Sequence, residues 1–181
     1  MAGEVIQMHK VSLAALIFFE DMEGGWAEYQ EKLYSVFCRD LKDTGFTFRG
    51  KTVKIRYQPI EFGKEEAFFH ITCQDYKKDG DRVPDFRRCE RIAWVRQFVE
   101  AADADASVEF EGSTYELKIW TERVKNDLRY HILCEELKFM VVVAERDRYC
   151  LLITAFYFEH DHSLRKKLEK YKEYKAKNAS H

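Results

Sequence analysis

His70, Arg87, Arg88, Arg91, Thr154 and Tyr157 are the residues of this 181-residue chain whose types suit moving a proton and holding a phosphate. Metal-free cleavage of RNA needs a base for the 2′-hydroxyl proton, an acid for the leaving 5′-oxygen, and fixed cations beside the charge that builds on phosphorus. A histidine and a tyrosine can exchange protons, and a guanidinium fork matches two phosphate oxygens. Each residue also has a plainer role open to it. A lone histidine among apolar neighbours commonly serves as a hydrogen-bonded structural group. The arginines can line an exposed helix face and pair with Asp85 and Glu90, and Thr154 and Tyr157 are ordinary strand residues. Only the combination points to a site.

Other chemistries lack their residues. The chain has no GxSxG, P-loop, GxGxxG, HExxH or EF-hand pattern, and His160 with His162 is too short a pair for a metal site alone. Consecutive Glu135 and Glu136 at a strand end point apart, which suits a turn better than an acid/base pair. No metal or cofactor is expected. A formal net charge of -2 rules out arguing RNA binding from overall basicity, so any such binding rests on a local patch. The five cysteines are odd in number, form no CxxC pair and sit mostly among apolar neighbours, as reduced cytosolic thiols do. The apolar run Leu13 to Phe19 is followed by Glu20 and Asp21 and is far short of the roughly 18 residues needed to span a bilayer. It reads as a buried helix of a cytoplasmic protein that has no membrane partner.

The elements that would position these residues follow from periodicity. An opening helix ends at Gly24 and Gly25, and a second carries Trp26, Tyr29, Leu33, Val36 or Phe37, and Leu41 at helical spacing, ending at Gly45. Thr52 to Phe62 and Ala67 to Gln74 read as extended segments broken at Gly63. Alternation in the second turns His70 away from the core. Asp79-Gly80 signals a turn. Asp85 starts a helix running to about Ala104, with Cys89, Ile92, Val95, Val99 and Ala102 on its core stripe. Arg87, Arg91, Trp94 and Phe98 gather on another side as a basic, aromatic surface. Strands then read at Val108 to Phe110, Tyr115 to Thr121, Asp127 to Cys134, Phe139 to Glu145 and Tyr149 to Phe158. Short charged turns between them give an antiparallel meander of about four strands. The two apolar runs Phe139 to Ala144 and Cys150 to Ile153 read as central strands covered on both faces. Ser163 to Lys177 forms a basic amphipathic helix with Leu164, Leu168 and Tyr171 on its apolar side. The fold class is therefore α+β: one domain over residues 1–181, with a helical part at 1–45, a helix-plus-sheet core at 46–162 and a basic helix and tail at 163–181.

The order of three segments, FFHIT at Phe68 to Thr72, DRVPDFRRCERIAW at Asp81 to Trp94, and FMVVVAERDRYCLLITAFY at Phe139 to Tyr157, resembles a phage- and mobile-element-associated branch of the barnase, EndoU, colicin and RelE-like ribonuclease superfamily. The resemblance covers about residues 60 to 175. It implies a metal-independent endoribonuclease, toxin-like or phage-associated, acting on tRNA or mRNA, with an antitoxin or immunity protein as a partner. Carried over by position, it implies catalytic roles for His70, Arg88, Arg91, Thr154 and Tyr157, with Arg87, Trp94, Arg148, Arg165 and Lys166 as RNA contacts. Two departures accompany it. Alternation puts Thr154 and Tyr157 on opposite faces unless the strand bulges or ends between them, and His70 falls in strand-like sequence where several relatives keep this histidine on a helix. Two rivals stand beside this expectation. One is a non-catalytic RNA-binding or regulatory module using Arg91, Trp94 and the terminal helix. The other is a phage-derived protein-interaction domain, a homodimer included, whose N-terminal helix Val11 to Phe19 packs on a partner.

Overall fold

A computed structural model describes residues 9–74 and 82–179, so the Asp79-Gly80 turn and Asp81 lie outside the described residues. In chain order the elements are β1 (Lys10–Ser12), α1 (Gly25–Phe37, continued by a π turn at Cys38–Lys42), β2 (Thr47–Phe48), β3 (Lys51–Lys54), β4 (Ile60–Glu61) and β5 (Lys64–Glu65). Then come α2 (Glu66–Thr72), β6 (Cys73–Gln74), β7 (Val83–Pro84), α3 (Phe86–Glu90), α4 (Trp94–Asp103), β8 (Ser107–Phe110) and β9 (Ser113–Tyr115). The chain finishes with β10 (Lys118–Val124), β11 (Asp127–Cys134), β12 (Phe139–Glu145), β13 (Cys150–Tyr157) and α5 (Asp161–Asn178). The class is α+β, with five α-helices and a curled six-stranded sheet among the described residues. None of these helices is long and apolar enough to cross a membrane.

The meander from β10 to β13 forms with antiparallel pairing throughout. It does not complete the sheet. β3 adds in parallel to the start of β13, pairing Cys150 with Val53 and Leu151 with Lys54, and β2 follows, so the sheet is mixed rather than purely antiparallel. Phe139 to Ala144 is buried throughout, as a central strand covered on both faces must be. One face, with Phe139, Val141, Val143, Leu152 and Ala155, meets Trp94, Phe98 and Val99 of α4. The other, with Met140, Val142 and Phe158, meets Leu164, and Leu168 and Tyr171 of α5 also pack there.

Three further expectations change. The Leu13 to Phe19 run is not a helix and packs on its own chain. After β1, which pairs in parallel with β8, it runs as an extended strap to a 3₁₀ turn at Phe19–Asp21. Side chains supply the bonds a helix would have made internally: Trp94 Nε1 donates to the Ala14 carbonyl at 2.8 Å, Gln97 Nε2 to that of Ser12 at 3.0 Å, and Tyr29 Oη to that of Ile17 at 2.7 Å. The Asp85 helix does start where expected, with Asp85 Oδ1 accepting from Arg88 N at 3.1 Å, but it breaks over Arg91 to Ala93 into α3 and α4. Cys89, Ile92, Val95, Val99 and Ala102 are buried as the stripe requires, yet Trp94 and Phe98 are buried too, so no basic, aromatic surface forms there. α4 lies between the sheet and the strap, and burial extends around most of its girth. Finally, Ala67 to Gln74 is not extended: α2 occupies Glu66–Thr72. Six of its residues, all but His70, are buried, and burial on every side erases the periodicity that separates helix from strand.

Candidate functional site

Beyond Leu151 the outer edge of β13 has no strand partner among the described residues, and α2 and α3 pack against that strand. His70 stands on α2 one turn after Glu66. Its Nε2 lies 3.0 Å from Glu66 Oε1, an i,i+4 pair in which the carboxylate is buried and the imidazole is 34% exposed. The other carboxylate oxygen of Glu66 takes Nη2 of Arg82, whose guanidinium also covers the Phe69 ring at 4.8 Å. Glu66 only accepts, so His70 Nε2 carries a hydrogen, and in the neutral ring the lone pair lies on Nδ1. Among the described residues no partner faces Nδ1.

Arg88 and Thr154 reach the same residue by its main chain. The Thr154 hydroxyl donates to the His70 carbonyl at 3.3 Å, and Arg88 Nη1 donates to the carbonyls of His70 at 3.3 Å and Cys73 at 2.8 Å. These are end groups of a short helix that its own backbone leaves unpaired. Arg88 also lies 5.7 Å from the Phe156 ring centroid, and Asp85, which accepts from the Arg88 amide, takes Gln74 Nε2 at 3.3 Å. The arrangement fixes where α2 ends, and with it where the imidazole sits.

Arg91 and Tyr157 form a second group. A register shift between Val142 and Val143 leaves Val142 opposite Thr154 and Val143 opposite Leu152, so the extra residue on β13 is Ile153. The bulge precedes Thr154 rather than falling between it and Tyr157. Pairing is regular from Thr154 to Tyr157, which therefore point to opposite faces. On Tyr157's side, the Arg91 guanidinium covers the Tyr157 ring at 4.4 Å and the Trp94 ring at 5.3 Å, with Nη1 bonded to Glu90 Oε2 at 2.9 Å and the Arg87 carbonyl at 3.0 Å. Arg91 is buried.

The expected RNA contacts are dispersed. Trp94 is 1% exposed, so it cannot stack on a base without opening the core. Arg87 is half-exposed, 3.4 Å from Glu90, and lines a cleft of about 610 Å³ with Phe18, Glu20, Gln74, Phe86 and Glu159. Arg165 and Lys166 are exposed on the first turns of α5. Arg148, also exposed, precedes β13, whose length of about 23 Å lies between it and Tyr157. Glu66, Arg82 and Gln74 are the polar residues that the sequence reading missed. The i,i+4 spacing of Glu66 and His70 was the available signal, visible only once the segment is read as a helix. Cys73 and Cys89 lie close by, but burial pushes both thiols up and makes them poor nucleophiles. No three His, Cys, Asp or Glu side chains group to hold a metal ion among the described residues.

Comparison of the chain with family models, with curated proteins and with solved structures finds no match.

Proposed function

We propose that the chain is a metal-independent endoribonuclease, toxin-like or phage-associated as its resemblance implies, with His70 as the proton-transferring group. The observation that carries this reading is the Glu66–His70 pair: a buried carboxylate fixes one imidazole nitrogen, and the other, on a partly exposed ring, has no partner among the described residues. This is the arrangement a general base needs. Nδ1 takes the proton of a ribose 2′-hydroxyl, the 2′-oxygen bonds to phosphorus, and the P–O5′ bond breaks with solvent protonating the leaving oxygen. Arg88 and Thr154 are positioning residues, holding the His70 main chain. Arg91 and Tyr157, on the other face of β13, support α3 against the strand.

The test is incubation of the full chain with total RNA in EDTA. Cleavage is expected, with at least a hundredfold loss in His70→Ala. Absence of cleavage, or undiminished cleavage by His70→Ala, overturns the reading.

One observation favours a second reading, binding without cleavage. The guanidiniums of Arg88 and Arg91 are engaged by the protein's own carbonyls and by Glu90, whereas Arg165 and Lys166 are exposed on α5. Salt-sensitive RNA affinity with no turnover, weakened by Arg165→Ala with Lys166→Ala, is the outcome that selects it.

A further inference from the structure

Away from the His70 region, a second histidine is buried where the sheet meets α5. His131 on β11 lies opposite Trp120 on β10 and Val142 on β12, and its ring stacks on the Trp120 indole with centroids 4.9 Å apart and planes 12° from parallel. Neither ring nitrogen has a hydrogen-bond partner among the described residues, although both are buried. The nearest acid is Glu122 on β10, its Oε1 3.5 Å from Nε2. That carboxylate is already engaged, accepting from Trp120 Nε1 at 2.9 Å and from Lys170 Nζ of α5 at 2.6 Å. The other charged groups around the imidazole are Arg129 on its own strand and Lys167 and Lys170 on α5, while β12 offers only Val142. Tyr171 of α5 closes over Trp120 with centroids 6.1 Å apart.

A neutral imidazole fits this place as an apolar ring. A protonated one does not, because it would be a buried cation facing three others with one shared carboxylate. We propose that His131 is an acid-sensitive latch for α5: neutral, it packs beneath the helix; protonated, it repels Lys167, Lys170 and Arg129 and releases the helix from the sheet.

The titration directions agree with the geometry. Burial pushes the His131 imidazole down to about 4; Glu122 opposes this, and Lys167, Lys170 and Arg129 add to it. Burial also works against the Glu122 carboxylate, but its bonds from Lys170 and Trp120 prevail and hold it at about 2, so it stays charged while His131 titrates. Burial likewise pushes the Lys167 ammonium down, as expected beneath a docked helix. A histidine whose value is depressed in the docked state stabilises docking fully above its ordinary 6.5, and this is lost as pH falls toward 4. Between pH 7 and pH 5 the docked-to-released ratio of α5 therefore falls about 25-fold.

Amide hydrogen exchange of the full chain, expressed as protection factors, reads this directly. In the wild type, protection across α5 is expected to fall about 25-fold from pH 7 to pH 5 and to lie well below that of β12 at pH 5, because α5 opens without the rest of the sheet. In His131→Phe, which keeps the stacked ring and cannot protonate, α5 protection is expected to stay flat. The latch is refuted if wild-type α5 protection changes less than threefold, if α5 at pH 5 is as well protected as β12, or if His131→Phe shows the same fall. Should His131→Phe not fold, NMR titration of the wild-type ring decides. A ring that stays neutral until α5 opens supports the latch, and one that titrates near 6.5 with α5 still protected refutes it.

Discussion

Replacing Arg88 with methionine separates a scaffold arginine from a phosphate ligand. Methionine retains an unbranched apolar chain beside Phe156 and removes the guanidinium, leaving the Cys73 carbonyl without its 2.8 Å donor and the His70 carbonyl with Thr154 alone. Asp85 loses an ion pair at 3.4 Å but keeps its bonds from the Arg88 amide and Gln74, so its share is small. A hydrogen bond from a charged donor contributes about 1.5–3 kcal/mol, and the longer bond to His70 sits at the weak end, giving about 3 kcal/mol in all. For a chain of this size that lowers the melting temperature by about 6–12 °C, read by circular dichroism. RNA cleavage should fall as well, because the end of α2 loosens and His70 drifts, and Arg88→Lys should recover part of both through a single ammonium donor. If Arg88→Met melts with the wild type while cleavage or RNA affinity drops more than tenfold, the guanidinium serves substrate, and the assignment of Arg88 as a positioning residue is wrong.

Other perturbations test neighbouring steps. Trp94→Phe removes the indole donor to Ala14 and leaves a void, and should destabilise by about 2–3 kcal/mol in urea titration with RNA affinity of the folded protein unchanged. A selective loss of affinity would instead return Trp94 to a base-stacking role. Glu66→Gln keeps the shape but removes the charge that fixes His70 and Arg82, and is expected to lower kcat at least tenfold on a fluorogenic RNA with KM little changed. An unaltered kcat would count against the dyad. Thiol labelling of the native protein should modify Cys38, half-buried, well ahead of Cys73, Cys89, Cys134 and Cys150, all buried, with mass spectrometry assigning the site.

The meander was legible because its signals are local: β-branched and aromatic runs of strand length between charged turns, and two continuous apolar runs that only central strands carry. The α5 stripe of Leu164, Leu168 and Tyr171 was equally plain. What could not be read were contacts made by side chains to distant backbone. Nothing near Leu13 to Phe19 tells that Trp94, Gln97 and Tyr29 bond its main chain and so hold an apolar run extended. The parallel docking of β3 onto β13 joins segments about a hundred residues apart, and a four-residue strand carries no mark of its partner.

The candidate site was half legible for a related reason. Its residue types stand out in the sequence, but their directions depend on two details of backbone. Reading Phe68 to Thr72 as a strand hides Glu66 from His70, since in a strand residues four apart lie about 13 Å from each other, whereas in a helix they are neighbours. The bulge at Ile153 matters in the same way. Had it fallen after Thr154, the hydroxyl and the Tyr157 phenol would share a face and a substrate could touch both. Placed one residue earlier, it leaves Thr154 with α2 and Tyr157 beneath Arg91. Arg88 and Arg91, three apart on the same turn of chain, divide between those two groups. In the proposed reaction the proton transfer therefore falls to His70 and Glu66, and Arg88 and Arg91 bear on it through the main chain of α2 and the packing of α3.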